Sequence, residues 1–298
     1  MKRFNFKTLL FLLPIFILAI MLEFALRNIP NDYIFKKKYL DQNSNKIETL
    51  ILGNSHAYHA FNPVYFEGNA FNAAYFSQPL NYDVKIFEKY QEQTENLKTI
   101  VISISYTSLF DDVGERDRLK NYVKFYKIGT TSLANKTELL GRNFSENMKS
   151  FVKFYIKNLH PLTSSELGWH VSDSSMVSDL EVTGKEAAIR HTCKIKEEVT
   201  NNLINILDSF ISYCETRNIN VILITLPAYK SYSDNLNEEQ LKRTLEISNN
   251  FAQKHNNCIY INLLEDTSFT PEDFFDGDHL NDSGAKKISL KISEYTSK

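Results

Sequence analysis

A serine at the end of a predicted strand is the first residue in this sequence whose type and position could do chemistry. Residues 50–52 are apolar and end at Gly53, and Asn54 and Ser55 follow where a helix is expected to begin. Such a turn presents the hydroxyl at the carboxyl end of the strand, and the first N–H groups of the helix point at any oxyanion that forms there. Serine and asparagine are also common helix caps, so this segment alone is compatible with a nucleophile or a simple N-cap.

An acid three residues before a histidine forms a second candidate, near the other end of the chain. Asp276 and His279 lie in a short acidic loop that precedes a predicted helix. One loop of this length can present an imidazole and also hold its Nδ1–H with a carboxylate, as a catalytic base requires. Asp278 is an alternative orienting acid. An acidic surface loop, or a metal-binding cluster that adds Asp273 to these residues, is the other interpretation.

The two segments together are more specific than either one. Ser55 and His279 flank nearly the whole stretch between residues 48 and 298. In a doubly wound sheet, a first strand in the middle and a last loop beside it meet at the carboxyl ends of the strands. The sequence therefore predicts one cleft that holds both. His56 and His59 follow Ser55 on the predicted helix, where neighbouring side chains diverge, and we expect them to pack or to contact the rim.

Short apolar runs alternate with helical periodicity through this stretch. Strands are predicted over residues 49–52, 70–74, 99–104, 220–226 and 258–263, and helices over residues 81–95, 197–217 and 238–255. Apolar strands separated by amphipathic helices indicate an α/β fold with a doubly wound, flavodoxin-like, mainly parallel sheet. Residues 108–195 break the pattern. They are expected to be an insertion, which either walls a substrate site or is a plain helical elaboration.

The amino-terminal segment is apolar enough to enter a membrane. Lys2, Arg3 and Lys7 precede an uncharged run, and a helix from Thr8 to Leu26 would be about 28 Å long, close to the thickness of the hydrocarbon layer. By the positive-inside rule the tail stays in the cytoplasm and the remainder is exported. We expect an uncleaved single-pass anchor; a cleaved signal peptide and a soluble helix are the alternatives.

Three parts are therefore predicted along the chain: an anchor at residues 1–26, a polar stem at residues 27–47 and an α/β domain at residues 48–298. The stem contains three consecutive lysines at residues 36–38, which run against the positive-inside rule if the stem is exported.

Composition excludes some classes of protein. The 298 residues carry a formal net charge of −2, unlike the strongly basic footprint of a nucleic-acid-binding protein. The three cysteines form no CxxC pair, so a disulfide scaffold is not expected.

These motifs resemble those of the SGNH (GDSL-like) hydrolase and acyltransferase family. Residues 53–55 resemble its GDS block, and residues 276–279 resemble its D-x-x-H block. The resemblance covers about residues 48–298. It implies Ser55 as nucleophile, His279 as general base and then acid, and Asp276 as the residue that orients the imidazole, with no cofactor.

Two departures concern the oxyanion hole. The family's second block has a glycine, which residues 72–78 lack, and its third block has G-x-N, where this chain has Ser103-Ile104-Ser105-Tyr106. The resemblance leaves Ser77, Ser105 and Tyr106 as substitute donors or substrate contacts. Loss of one such donor costs about 10²–10³ in rate.

The expected function is a serine-dependent esterase or O-acyltransferase. The resemblance extends to membrane-anchored bacterial proteins that add or remove acetyl groups on cell-surface glycans, which implies an acylated carbohydrate substrate and an exported catalytic domain. A non-catalytic glycan-binding or assembly protein of the same fold is the first alternative, and a metal-dependent hydrolase built on the acidic loop is the second.

Overall fold

A computed structural model describes residues 2–112, 116–129, 132–171 and 179–296. The chain forms two compact units. One contains Met1–Lys37 and Arg116–Leu162, and the other contains Lys38–Glu115 and Thr163–Lys298. The predicted insertion is divided between them, so its residues 116–162 belong to the same unit as the amino-terminal helix.

The second unit is built on a five-stranded parallel sheet with the order β2-β1-β3-β4-β5. The strands are β1 (Thr49–Leu52), β2 (Ala70–Asn72), β3 (Thr99–Ser103), β4 (Asn220–Thr225) and β5 (Cys258–Asn262). This is the flavodoxin-like order, with its switch point between β1 and β3. The predicted α/β fold and doubly wound parallel sheet are confirmed, and each predicted strand is present with ends within two residues of the prediction.

The helices follow the strands in the order that the sequence pattern indicates. They are α1 (Lys2–Arg27), α2 (Asp32–Asn43), α3 (Ser55–Ala60), α4 (Leu80–Tyr90), α5 (Arg116–Asn121), α6 (Leu133–Lys136), α7 (Glu138–Gly141), α8 (Phe144–Phe151), α9 (Leu180–His191), α10 (Glu197–Thr216), α11 (Lys230–Ser233), α12 (Glu238–Lys254) and α13 (Asp282–Thr296). Short π-helical turns cover Tyr122–Tyr126 and Val152–Ile156.

The core of the second unit lies on both faces of the sheet. Strands β1 and β3 are buried along their whole length, as β-branched and leucine-rich strands between two helical layers must be. Helix α10 buries one stripe, which includes Leu203, Leu207 and Phe210. Each such side chain contributes roughly 1.5–3 kcal/mol on burial. Because the core fixes β1 and β3, it also fixes the loops at their carboxyl ends.

In the first unit, Leu10–Arg27 of α1 is long and apolar enough to cross a membrane, and only 6% of this stretch is buried. A signal sequence can be equally long and apolar. The residues predicted to form a polar stem include α2, a helix in which Tyr33 and Leu40 are buried. The division into anchor, stem and catalytic domain stays a prediction.

Candidate active site

Ser55 is the first residue of α3, directly after β1 and a tight turn. Gly53 has φ of +133°, and a Cβ there would lie 2.3 Å from Ser103 Oγ, so the turn requires glycine. The chain can therefore leave the buried strand and start the helix within two residues, which places the Ser55 hydroxyl at the carboxyl end of the sheet.

Hydrogen bonds hold both ends of helix α3. At its start, the side chain of Asn54 accepts a hydrogen bond from the N–H of His56. Toward its end, Asn72 Nδ2 donates to the carbonyl oxygens of Ala57 and Phe61. The helix that begins with the candidate nucleophile is thus fixed relative to β2.

His279 reaches Ser55 from the loop before α13. Its Nε2 lies 2.9 Å from Ser55 Oγ. Its Nδ1 lies 2.9 Å and 3.0 Å from the two carboxylate oxygens of Asp276. Asp276 Oδ1 also accepts hydrogen bonds from the backbone N–H groups of Asp278 and His279, which fixes the carboxylate relative to the ring. The two segments selected from the sequence therefore meet, with a hydroxyl, an imidazole and a carboxylate in one hydrogen-bonded line.

Asp278, the alternative orienting acid, occupies a different position. Its carboxylate is 3.6 Å from His279 Nδ1, farther than that of Asp276. Its other oxygen lies 3.1 Å from His56 Nε2 and 3.9 Å from His191 Nδ1. Asp278 is therefore a buried acid between three imidazoles, and the nearer Asp276 is the residue that holds the tautomer of His279.

The two carboxylates change the charge of the central imidazole. Burial of His279 opposes its charged form, but Asp278 and Asp276 outweigh this effect and raise the pKa of His279 to about 9. Burial would raise the pKa of Asp278, yet the neighbouring His279 and His56 hold it well below its usual range. Burial lowers the pKa of His191 to about 3, which leaves that ring neutral. The raised pKa of His279 favours its imidazolium form near neutral pH.

Ser77 lines the cleft beside Ser55 and has φ of +50°, in the left-handed region that favours glycine. Ser77 lies within residues 72–78, the segment that lacks the glycine found in the second block of SGNH proteins. The loop is tied to the β1 turn by the buried carboxylate of Asp83, which accepts hydrogen bonds from the N–H of Gly53 at 2.7 Å and from Gln78 Nε2. Burial raises the pKa of Asp83 to about 7, although both hydrogen bonds favour the carboxylate.

Ser105 and Tyr106 border a small cavity that His56 also lines. The Ser105 hydroxyl is buried and accepts a hydrogen bond from Asn54 Nδ2 at 2.6 Å. The Tyr106 hydroxyl accepts from the N–H of Asn237 at 2.9 Å, and its ring packs in a small core cluster with Tyr232. These contacts give both residues a supporting position: Ser105 holds the side chain that caps α3, and Tyr106 braces the loop before α12. A donor or substrate-contact role for Ser105 and Tyr106 stays a prediction.

The cleft at Ser55 has a volume of about 280 Å³ and is lined mostly by polar residues. Part of its wall comes from the end of α9 and the residues just beyond it, through Arg190, His191 and Cys193. A larger groove of about 610 Å³ between α4 and α10 is lined by none of these site residues.

Helix α9 reaches the cleft because two glycines let it touch the acidic loop. A Cβ on Gly277 would lie 2.2 Å from Gly184 Cα. Any larger side chain at residue 277 would therefore push the helix and the loop apart.

Comparison with known proteins gives matches among solved structures. No family model and no curated protein matches this chain. A GDSL-like lipase from Bacteroides thetaiotaomicron matches with 13% identity over 89% of this chain and 98% of its own, at a TM-score of 0.41. A candidate acylhydrolase from Bacteroides fragilis matches with 11% identity over 87% of this chain and 94% of its own, at a TM-score of 0.43.

A third match is a candidate platelet activating factor structure from Streptococcus pneumonia, with 11% identity over 88% of this chain and 91% of its own, at a TM-score of 0.43. The chain is similar to GDSL-like lipases and acylhydrolases.

Two residues of the site carried no signal in the sequence. Arg190 and His191 end a helix that the sequence assigned only to an insertion, and nothing in their spacing relates them to Ser55. His56 was expected to pack or to contact the rim. It lines the cleft and also bonds to Asp278, and its position directly after the candidate nucleophile was the one available clue.

Among the residues that the structure describes, two groups of side chains have ligand atoms close enough to hold a metal ion: His56, His191 and Asp278, and the loop residues Asp276, Asp278 and His279. These side chains already have hydrogen-bond partners: His56 bonds to Asp278, His191 Nδ1 bonds to the Tyr232 hydroxyl, and His279 bonds to Asp276. In the second group the imidazole already bonds to a carboxylate on one side and a hydroxyl on the other. A metal there would have to break the line to Ser55.

Proposed function

We propose that this chain is a serine-dependent ester hydrolase or O-acyltransferase of the SGNH type. The observation that carries the proposal is the contact of His279 Nε2 with Ser55 Oγ at 2.9 Å, together with the contact of its Nδ1 with Asp276. Nucleophile, base and orienting acid are the three groups that acyl transfer through a covalent intermediate requires.

In the first step Ser55 Oγ attacks the ester carbonyl carbon while its proton passes to His279 Nε2. The carbonyl oxygen becomes an oxyanion beside the first turn of α3 and the loop at Ser77. The intermediate collapses, the proton on Nε2 goes to the leaving alkoxide, and the acyl group stays on Ser55. Asp276 keeps the proton on Nδ1 and stabilises the imidazolium that forms in between.

In the second step an acceptor O–H gives its proton to His279 Nε2 and attacks the acyl-enzyme, which restores the Ser55 hydroxyl. Water as acceptor makes the protein a hydrolase, and a sugar hydroxyl makes it a transferase. A polar cleft with Arg190, Asn54 and Thr107 in its walls suits a carbohydrate ester better than a long-chain lipid. We infer an acylated cell-envelope glycan as substrate and an exported domain held by α1 as a single-pass anchor.

The test is turnover of a small acetyl ester by the full-length protein in detergent. The wild type should release acetate from p-nitrophenyl acetate, and Ser55→Ala should lower kcat/KM by at least about 10³. Ser212→Ala is the control, because Ser212 is an exposed serine on α10 that does not line the cleft and should leave the rate within a few-fold. Equal rates for wild type and Ser55→Ala would contradict the proposal.

A metal-dependent hydrolase is the second candidate, favoured by the convergence of His56, His191 and Asp278. In the serine mechanism the protein keeps its activity after exhaustive chelation and dialysis. In the metal mechanism activity falls and returns on addition of Zn²⁺, and Ser55→Ala retains it.

A further inference from the structure

Outside α1, the first unit exposes large apolar side chains on the helical segment from Phe144 to Leu159. This segment comprises α8, the π-helical turn at Val152–Ile156 and the residues that follow. It carries large apolar side chains in contact with solvent: Phe144 is 60% exposed, Ile156 70% and Leu159 53%. Soluble surfaces seldom cluster such side chains on one element unless something covers them.

Exposed apolar residues and exposed lysines lie together on this segment. Phe144 and Tyr155 lie in its helical part, and Leu159 follows three residues after that part ends at Ile156. The lysines recur at intervals of four and are all exposed: Lys149, Lys153 and Lys157. Large apolar side chains together with lysines are typical of a segment that lies in the plane of a membrane interface.

The segment is joined to the end of the candidate membrane span. The hydroxyl of Tyr155 donates to the carbonyl oxygen of Ala25 at 2.9 Å. Glu23 accepts hydrogen bonds from the N–H groups of the first two residues of α7. Glu23 and Ala25 lie four and two residues before the end of the span at Arg27, which is about 6 Å and 3 Å along a helix. If α1 crosses a bilayer, whatever contacts these residues is at the depth of the headgroups.

Part of the segment packs against the protein. Asn147 is buried, and its Nδ2 donates to the carbonyl oxygen of Glu138 at 2.8 Å. The segment is therefore anchored through Asn147 while its large apolar side chains stay exposed. Leu140, on α7, is 63% exposed and is a further exposed apolar residue of the same unit.

We propose that the segment from Phe144 to Leu159 lies in the membrane–water interface, with its exposed apolar side chains at the acyl-chain boundary and its lysines among anionic headgroups. The inference rests on the proposed membrane-spanning role of α1. A lipid bilayer is the partner that fits, because the segment contacts the end of the span, its exposed side chains include large apolar ones, and its lysines are cationic.

The experiment measures the environment of single positions in the full-length protein, reconstituted into lipid nanodiscs that contain phosphatidylglycerol. In a Cys193→Ser background, NBD dye is attached to Ile156→Cys, to Ile17→Cys in the span and to Val182→Cys. The other two native cysteines are buried. Val182 is the matched control, since it is an apolar side chain that is 50% exposed on α9 of the other unit. Emission wavelength, quenching by doxyl-labelled lipid and quenching by aqueous iodide are recorded for each.

The proposal expects NBD at residue 156 to emit at shorter wavelength than at residue 182, and to be quenched several-fold more by doxyl lipid placed near the headgroups. If the dye at residue 17 is quenched by doxyl lipid while the dye at residue 156 is quenched by iodide, the interfacial position of the segment is wrong and the membrane anchor is still supported. If iodide quenches the dye at residue 17 and the dye at residue 156, both the membrane anchor and the interfacial segment are wrong. Protection of residue 156 from iodide and from doxyl lipid alike overturns the proposal in favour of a protein partner or a second copy.

Discussion

The carboxylate of Asp278 lies 3.6 Å from His279 Nδ1, and that of Asp276 lies 2.9 Å from the same atom. A triad needs one orienting acid, and this site has two. The second acid is shared with His56, so its charge is held in place at a buried position. The consequence is an imidazole that keeps its proton to unusually high pH.

The pH dependence of the reaction should reflect this second acid. His279 can act as a base only when neutral, so kcat/KM should rise with pH through an apparent pKa near 9. Asp278→Asn removes a negative charge that stabilises the imidazolium, so the rise should move toward neutral pH. The measurement is a pH–rate profile of wild type and variant with the same acetyl ester. A variant profile that moves to higher pH, or does not move, contradicts the assignment.

Replacement of the nearer acid should have a different effect. An asparagine side chain at residue 276 would offer an N–H to His279 Nδ1 and thereby favour the wrong tautomer, so Asp276→Asn should lower kcat by about 10³–10⁴ at every pH. Asp278→Asn serves as the control, because it removes a similar charge from the same loop and should retain activity at its own optimum. If Asp278→Asn has the lower kcat across the pH range, Asp278 is the orienting acid and the assignment of Asp276 is wrong.

The backbone at Ser77, rather than its hydroxyl, is expected to serve the oxyanion. Ser77→Ala should therefore keep kcat/KM within a few-fold of the wild type. Ser77→Gly relieves the left-handed strain at φ of +50° and should raise the free energy of unfolding by up to about 1 kcal/mol. Urea unfolding and steady-state kinetics on both variants check this. A loss of about 10² or more in Ser77→Ala would assign the donor to the hydroxyl instead.

Asp83 should make the stability of the protein depend on pH. Its pKa is raised to about 7 in the folded protein, above the ordinary value near 4, so the folded state binds the proton more tightly than the unfolded state. Its contribution to stability is therefore largest at low pH and falls as pH rises from about 4 to 7. Asp83→Asn removes this fall, so the variant should gain a few kcal/mol on the wild type between about pH 5 and pH 8. Thermal or urea unfolding of the wild type and Asp83→Asn at about pH 5 and about pH 8 measures the difference in their free energies of unfolding. A difference that is the same at both pH values contradicts the raised pKa of Asp83.

The sheet and the line from Ser55 to Asp276 were predictable because both follow from local patterns. Apolar strands and strand-end turns are local, and parallel topology brings their carboxyl ends together. The roles of Ser105, Arg190 and His191 were not predictable in the same way. The bond of Ser105 to Asn54 depends on the path of the loop after β3, and α9 reaches the site because two glycines, at residues 184 and 277, allow close contact.

The sequence did not predict which part of the protein the long insertion packs with. Residues 116–162 belong with α1 because contacts such as Tyr155 to Ala25 join segments 130 residues apart, and spacing along the chain carries no information about such pairs. Some of the insertion, at residues 113–115, 130–131 and 172–178, lies outside the described residues.

The most direct test of the central claim is covalent labelling of the full-length protein with a fluorophosphonate, followed by peptide mass spectrometry. Such a probe reacts with a serine only when a neighbouring base makes it nucleophilic. The expected result is one phosphonate on the peptide that contains Ser55, lost in Ser55→Ala and His279→Ala and kept in Ser212→Ala. Labelling that persists in Ser55→Ala, or a wild-type protein that fails to label at about pH 9 where His279 can be neutral, would contradict a serine mechanism.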